Sequence, residues 1–185
     1  MKIIKDIKLH FVSLLLFGVL FPLLIVGIGL FFPNQANGLP LYKDGRLIGF
    51  ENIGQKFTSE KYFWGRPSAV DYNAASAGGS NKGPTNKEYL NQVDQRINDF
   101  LKKNPSIKRI EIPSEMVTAS GGGLDPHISV QGALIQIPRI AAARGISEVK
   151  IKNLVNAVIE KPFLGLLGPE HVNVLKLNID LDSIK

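Results

Sequence analysis

Residues 11 to 32, FVSLLLFGVLFPLLIVGIGLFF, carry no charge across 22 positions, and this run constrains the chain more than any other feature. Wound as an α-helix at about 1.5 Å per residue it is roughly 33 Å long, enough for a bilayer's hydrocarbon core. A cleaved signal peptide has a shorter apolar stretch, about 7–15 residues, with small residues at the cleavage site. Here bulky Phe31 and Phe32 stand where small residues belong. The run therefore predicts an uncleaved transmembrane helix at 11–32, a short N-terminus at 1–10 and one further domain at 33–185.

The flanks orient it. Lys2, Lys5 and Lys8 precede the span against the single Asp6, and no charge follows until Lys43. The positive-inside bias places residues 1–10 in the cytoplasm and 33–185 outside, in a single-pass protein of the cell (inner or plasma) membrane. Within the span, Gly18, Pro22, Ile25 and Gly29 recur at helical spacing. Small residues let membrane helices approach closely, and a proline frees a carbonyl that a neighbour can satisfy, so this stripe is expected to pack on a partner helix.

The 153 residues after the span suit one domain. Cysteine is absent, which excludes disulfides and thiolate chemistry. Beyond residue 32, 19 basic side chains stand against 15 acidic ones. They are scattered without aromatic interleaving, so no nucleic-acid partner is expected.

LPLYKDGRLIGF reads as a hairpin turning at Asp44-Gly45. Residues 54–84 lack a lasting period, but Tyr62, Phe63, Trp64 and Tyr72 give them enough apolar area for a packed loop. A helix is expected after Thr85, with Glu88 completing a capping box and Leu90, Val93, Ile97, Phe100 and Leu101 as its apolar stripe. Residues 109–120 read as a short extended element interrupted by Pro113. A second helix spans about 130–144, capped by Ser129, divided by Pro138 and stopped by Gly145. A third is capped by Ser147 and buries Ile151, Leu154, Val155, Val158 and Ile159. VNVLKLNIDLD alternates apolar and polar residues and reads as a half-buried strand. The fold class is α+β, an extracytoplasmic domain anchored by one N-terminal transmembrane α-helix.

Chemistry is sparse. His10, His127 and His171 lie far apart at no metal-ligand spacing, and read as interface or turn residues. Asp180 and Asp182 share a strand face with Lys176 and read as solvated. No Gly-x-Ser-x-Gly elbow is present, so an anchored hydrolase has no starting point. Gly121, Gly122 and Gly123 in TASGGGLDPHIS lack the Lys-Ser or Lys-Thr of a P-loop, and Asp125 would repel an anion. Spacing alone makes these glycines a turn, no metal ligand set is expected, and the alternative reading is a membrane-anchored extracytoplasmic ligand-binding module.

Six stretches carry a family likeness: QANG (35–38), IGQKFTSEKYFWGRPSA (53–69), YNAASAGGSNKGPTN (72–86), VTASGGGLDPHIS (117–129), QIPRIAAARG (136–145) and GPEHVNVLKLNIDLD (168–182). In this order, behind an N-terminal span, they resemble the C subunit of the Kdp-type potassium-transporting ATPase over nearly the whole chain. Val130 and Gly132 depart from the family's usual proline and alanine. The resemblance implies an accessory, non-catalytic subunit of an ATP-driven potassium uptake complex. Its partners are a channel-like potassium-translocating subunit, a P-type ATPase subunit, a small single-span subunit and the bilayer. ATP and potassium are then handled by the complex, and no cofactor is assigned to this chain. In agreement, the sequence has no DKTG segment for aspartyl phosphorylation and no TVGYG-like filter.

The family is also described as a catalytic chaperone that raises the ATP affinity of the ATPase subunit through a glutamine, which corresponds here to Gln136. The charge-derived topology sets Gln136 across the bilayer from cytoplasmic ATP. It favours a cap over the outer mouth of the potassium-carrying subunit, with effects on ATP transmitted through protein. Trp64, Arg66, Gly121, Gly122, Gly123 and Asp125, the last four within the 117–127 loop, are the candidate subunit contacts.

Overall fold

Pro22 has no N–H, and the helix around it is wound accordingly. In the computed structural model, which describes residues 2–184, α1 (Lys2–Leu15) passes through a π turn at Leu16–Leu20 into α2 (Phe21–Gly29). Phe21 N–H donates to Leu16 O, five residues back. That wider register draws the chain away from the Gly18 carbonyl, which the proline ring would otherwise strike. Gly18 thus sits in the π turn, and Pro22, Ile25 and Gly29 lie in α2. Among the described residues one helix, Ile4–Gly29, is long and apolar enough to cross a membrane. The helical span ends before Phe31 and Phe32, because Pro33 opens a separate turn, α3 (Pro33–Ala36), and holds Phe32 out of the helical region.

This first unit runs through Pro40, and a second begins at Leu41. At their boundary β1 (Pro40–Lys43) and β2 (Arg46–Phe50) form the expected hairpin, with Asp44 and Gly45 at φ of 50° and 75°. Residues 51–86 contain no regular element.

α4 (Lys87–Lys103) is capped by Asn86, whose side chain accepts from Tyr89 N–H at 2.9 Å. The cap therefore lies one residue beyond Thr85, and Glu88 pairs with Lys82 at 3.1 Å instead of completing a capping box. Only the C-terminal half of the α4 stripe is buried, at Ile97 and Phe100, while Leu90 is exposed. The extended element expected at 109–120 is absent. Two 3₁₀ turns, Arg109–Glu111 and Ser114–Met116, stand there. Pro113 separates them, and its carbonyl accepts from Met116 N–H at 3.0 Å.

β3 (His127–Ser129) leads into α5 (Val130–Leu134), where Ser129 accepts from Gly132 N–H. Pro138 divides the helical stretch as expected, and α6 (Ile137–Arg144) ends on Gly145 in the left-handed conformation at φ 68°. α7 (Glu148–Ala157) starts at the Ser147 cap and buries Ile151 and Val155.

The C-terminal stretch corrects the strand reading. Only His171–Asn173 is a strand (β4), and α8 (Val174–Ser183) takes the rest. Asn173 caps α8, its Oδ1 accepting from Leu175 and Lys176 N–H, both at 3.1 Å. Val174, Leu177, Asn178 and Leu181 then form one buried helical face. Asp180 and Asp182 consequently share no strand face. Asp182 instead ties Arg144 (2.7 Å), Lys43 (3.0 Å) and Tyr62 (3.2 Å) together.

β3 and β4 pair antiparallel, with Ile128 opposite Val172. Around them, Phe63, Phe100, Met116, Ile137, Ile140, Ile151, Leu177 and Leu181 make one core. The architecture is α+β, with two small sheets and helices predominating.

Candidate functional site

Phe63 and Trp64 lie in irregular chain, so their backbone groups have no ladder to join. Two buried amide side chains supply the missing partners. Asn178, from α8, accepts from Phe63 N–H at 2.8 Å and donates to Phe63 O at 3.0 Å. Gln136, the N-cap of α6, accepts from Trp64 N–H at 2.8 Å and donates to Trp64 O at 3.2 Å. Gln136 also donates to Gly132 O at 2.9 Å and accepts from Arg139 Nη2 at 2.8 Å. It is completely buried.

Arg139 stands one helical turn beyond Gln136 and extends this network. Its Nε donates to Asn104 Oδ1 at 3.1 Å, and Nη1 donates to the carbonyls of Glu60 and Tyr62 at 2.5 and 3.0 Å. Its Cζ lies 3.8 Å from the centroid of the Trp64 ring, which Phe100 meets edge-on at 6.1 Å. Burial draws the Arg139 pKa down, and the charge of Glu60 opposes that. With these bonds made, the network leaves Gln136 no exposed polar atom for a ligand.

The other candidates meet beside it. Arg66 Nη1 pairs with Asp125 Oδ2 at 2.9 Å, while Arg66 Nε is buried without a partner among the described residues. The glycine loop is fastened to the irregular stretch: Ser120 N–H donates to Pro67 O at 3.1 Å, and Gly78 N–H to Gly122 O at 3.0 Å. Gly123 has a φ of 73°, and a Cβ there would meet Val70 Cγ2 at 2.5 Å. Gly121 and Gly122 are exposed and open. Tyr72 donates to Arg66 O, and burial pushes its hydroxyl pKa up to about 12. Asp125 is held down at about 2, chiefly by the neighbouring His127 ring, with the His127 backbone N–H (3.0 Å) and Arg66 adding to it, against the opposing effect of burial. Trp64, Pro67, Arg96 and Asp99 line a surface groove of about 270 Å³.

The structure therefore joins Trp64 to Gln136, and Arg66 to the 117–127 loop through Asp125. Gly18, Pro22, Ile25 and Gly29 belong to the other unit. Sequence reasoning missed Arg139, Asn104 and Asn178. The available signal was an Arg one helical turn after Gln136 and an Asn within an otherwise apolar helical face. It also kept His127 and His171 apart as turn residues. Both lie in strands, and the antiparallel register sets their rings 4.5 Å apart.

Comparison with known proteins places this chain in a family. A family model for KdpC, the c chain of K+-transporting ATPase, matches residues 3–183. The potassium-transporting ATPase KdpC subunit of Flavobacterium psychrophilum is 51% identical over 184 residues, covering 100% of this chain and 99% of that protein. Its counterpart in Flavobacterium johnsoniae is 52% identical over 97% of this chain and 96% of its own length. The same subunit of Caldanaerobacter subterraneus is 48% identical over 97% and 94%. With a family match and relatives that span it from end to end, this chain belongs to the KdpC family of K+-transporting ATPase subunits.

Proposed function

We propose that the chain is the accessory, non-catalytic C subunit of an ATP-driven potassium uptake complex, held in the membrane by residues 11–32 with 1–10 cytoplasmic and 33–185 outside. It assembles with a channel-like potassium-translocating subunit, a P-type ATPase subunit and a small single-span subunit. The observation that carries this reading is the family match over residues 3–183, together with one membrane-length helix among the described residues, Ile4–Gly29. A single span cannot enclose a conduction path, and the sequence lacks both a phosphorylation segment and a filter loop.

In this reading the stripe of Gly18, Pro22, Ile25 and Gly29 packs on partner helices in the bilayer. Trp64, Arg66 and the 117–127 loop face the outer surface of the channel-like subunit. Gln136 acts as a structural clasp behind Trp64. The chaperone effect on ATP described for the family then reaches the ATPase subunit as a coupling free energy, without contact between Gln136 and nucleotide. Its complete burial and its hydrogen bonds to Trp64, Gly132 and Arg139 support this assignment.

Purification of the full-length chain in mild detergent tests the assembly. Co-purification with a channel-like chain and an ATPase chain is expected, and recovery of the chain always alone would favour the alternative, a ligand-binding module. Protease added to intact cells tests the topology. Cleavage of the domain from outside is expected, and protection would put it beside cytoplasmic ATP.

A further inference from the structure

His127, Glu160 and His171 come from three separate segments, yet the backbone fixes them side by side. β3 pairs with β4 so that Ser129 stands opposite His171 and His127 opposite Asn173, which leaves the two histidines diagonal on one face. Glu160 borders His171 from the other side, with Glu160 N–H donating to His171 O at 2.9 Å and His171 N–H to Glu160 O at 3.2 Å. One ligand atom from each of the three side chains lies within 4.8 Å of the other two.

The neighbouring groups fix which atoms are free. His171 Nδ1 lies 3.1 Å from Pro169 O, and a carbonyl only accepts, so Nδ1 carries the proton. In the neutral ring Nε2 is then a lone pair, and it faces Glu160 Oε2 at 3.3 Å. Two acceptors directed at each other leave room between them for a proton on Nε2 or for a metal cation. His127 Nδ1 is turned toward Asp125 Oδ1 at 3.6 Å, while Arg66 takes the other oxygen of that carboxylate. A carbonyl behind one imidazole and a carboxylate behind the other are the supports that orient metal-ligating histidines. Lys176 approaches Glu160 through Oε1 at 3.4 Å and also pairs with Glu51, which leaves Oε2 on the histidine side.

From this geometry we propose that His127, His171 and Glu160 bind a divalent transition-metal ion, with zinc as the best-matched probe. Two imidazoles and one carboxylate with an open fourth position suit zinc, whereas calcium and magnesium prefer oxygen ligands. Bonds of about 2.0–2.1 Å in a tetrahedral site set ligand atoms roughly 3.3 Å apart, the distance already present between His171 and Glu160. All three side chains are about one-third exposed, so the open position faces water. The ion would clamp the segment containing Glu160 to the β3–β4 pair.

The test uses the full-length chain in mild detergent, stripped with a chelator and titrated calorimetrically with zinc alone near neutral pH. One equivalent is expected to bind at micromolar or lower concentration and to raise the unfolding temperature. Glu160→Gln and His171→Asn should each weaken binding by about tenfold to a hundredfold or more. His10→Asn should leave it unchanged. Glu160→Gln keeps the side-chain shape, and an unfolding midpoint for metal-free E160Q close to the parent's separates lost ligation from lost fold. Absence of uptake by the parent, uptake undiminished in E160Q and H171N, or uptake abolished by His10→Asn would each overturn the site.

Discussion

Gln136 holds both backbone groups of Trp64, accepting from its N–H at 2.8 Å and donating to its carbonyl at 3.2 Å. A side chain here does the work of a neighbouring strand. Removing it strands the part-buried N–H and C=O of Trp64 and one arm of Arg139 at once. Gln136→Ala is therefore expected to lower stability by about 2–4 kcal/mol, since each unsatisfied buried group costs about 1–3 kcal/mol and the losses overlap. Trp64 is the sole tryptophan. Urea unfolding of the full-length protein in detergent, followed by its emission, measures the loss, and the folded-state emission should also shift as Arg139 leaves the ring.

The three consecutive glycines should respond unequally. Gly123→Ala meets both a left-handed backbone and an overlap with Val70, and is expected to cost about 2–4 kcal/mol. Gly122→Ala enters open space at an exposed position and should stay within about 1 kcal/mol. Thermal unfolding of the two variants side by side checks the contrast, and equal losses would refute the packing assigned to this loop.

Acid should weaken the contacts that Asp125 makes with His127 and Arg66. Asp125 sits at about 2 in the folded protein, against about 3.9 in an unfolded chain. A depressed carboxylate pKa contributes stability that is complete above the unfolded value and is lost as pH falls through the folded one. For metal-free protein, stability should decline between about pH 4 and pH 2, and Asp125→Asn should flatten that part of the profile. Denaturant titrations across that range, parent against variant, supply the measurement.

Asn173 closes the N-terminus of α8 and also donates to Glu51 O at 2.8 Å. Asn173→Ala should cost about 1–2 kcal/mol, of the order of a lost N-cap. Asn173→Asp keeps the capping oxygen but loses the donor to Glu51 O, so it should recover only part of it. Circular dichroism during thermal unfolding distinguishes the two.

Legibility followed the length scale of the signal. The membrane-length helix, the Asp44-Gly45 turn, the Ser129 and Ser147 caps, the break at Pro138 and the Gly145 stop were all readable, because each rests on a few adjacent residues. The last segment was not, because Leu175, Leu177, Ile179 and Leu181 alternate as a strand would. The same segment also places Val174, Leu177, Asn178 and Leu181 on one helical face, and the cap at Asn173 decides between them. Pro113 likewise suggested a broken strand where it separates two tight turns.

The candidate site was readable only in its parts. Trp64, Arg66, Asp125 and Gln136 were each visible in the sequence, yet the bonds joining them span long separations along the chain. The approach of His127 to His171 depends on the register of β3 against β4, which no local pattern announces.

Fastening Phe63 and Trp64 through two amides from different helices makes the reading frame of this stretch a structural requirement. A single inserted residue just before Phe63 would present a different side chain to each clasp. It would slide the indole from beneath Arg139 and the phenyl ring out of the core. Insertions and deletions should accumulate instead in the exposed 81–85 stretch, where the chain can change length without disturbing either grip.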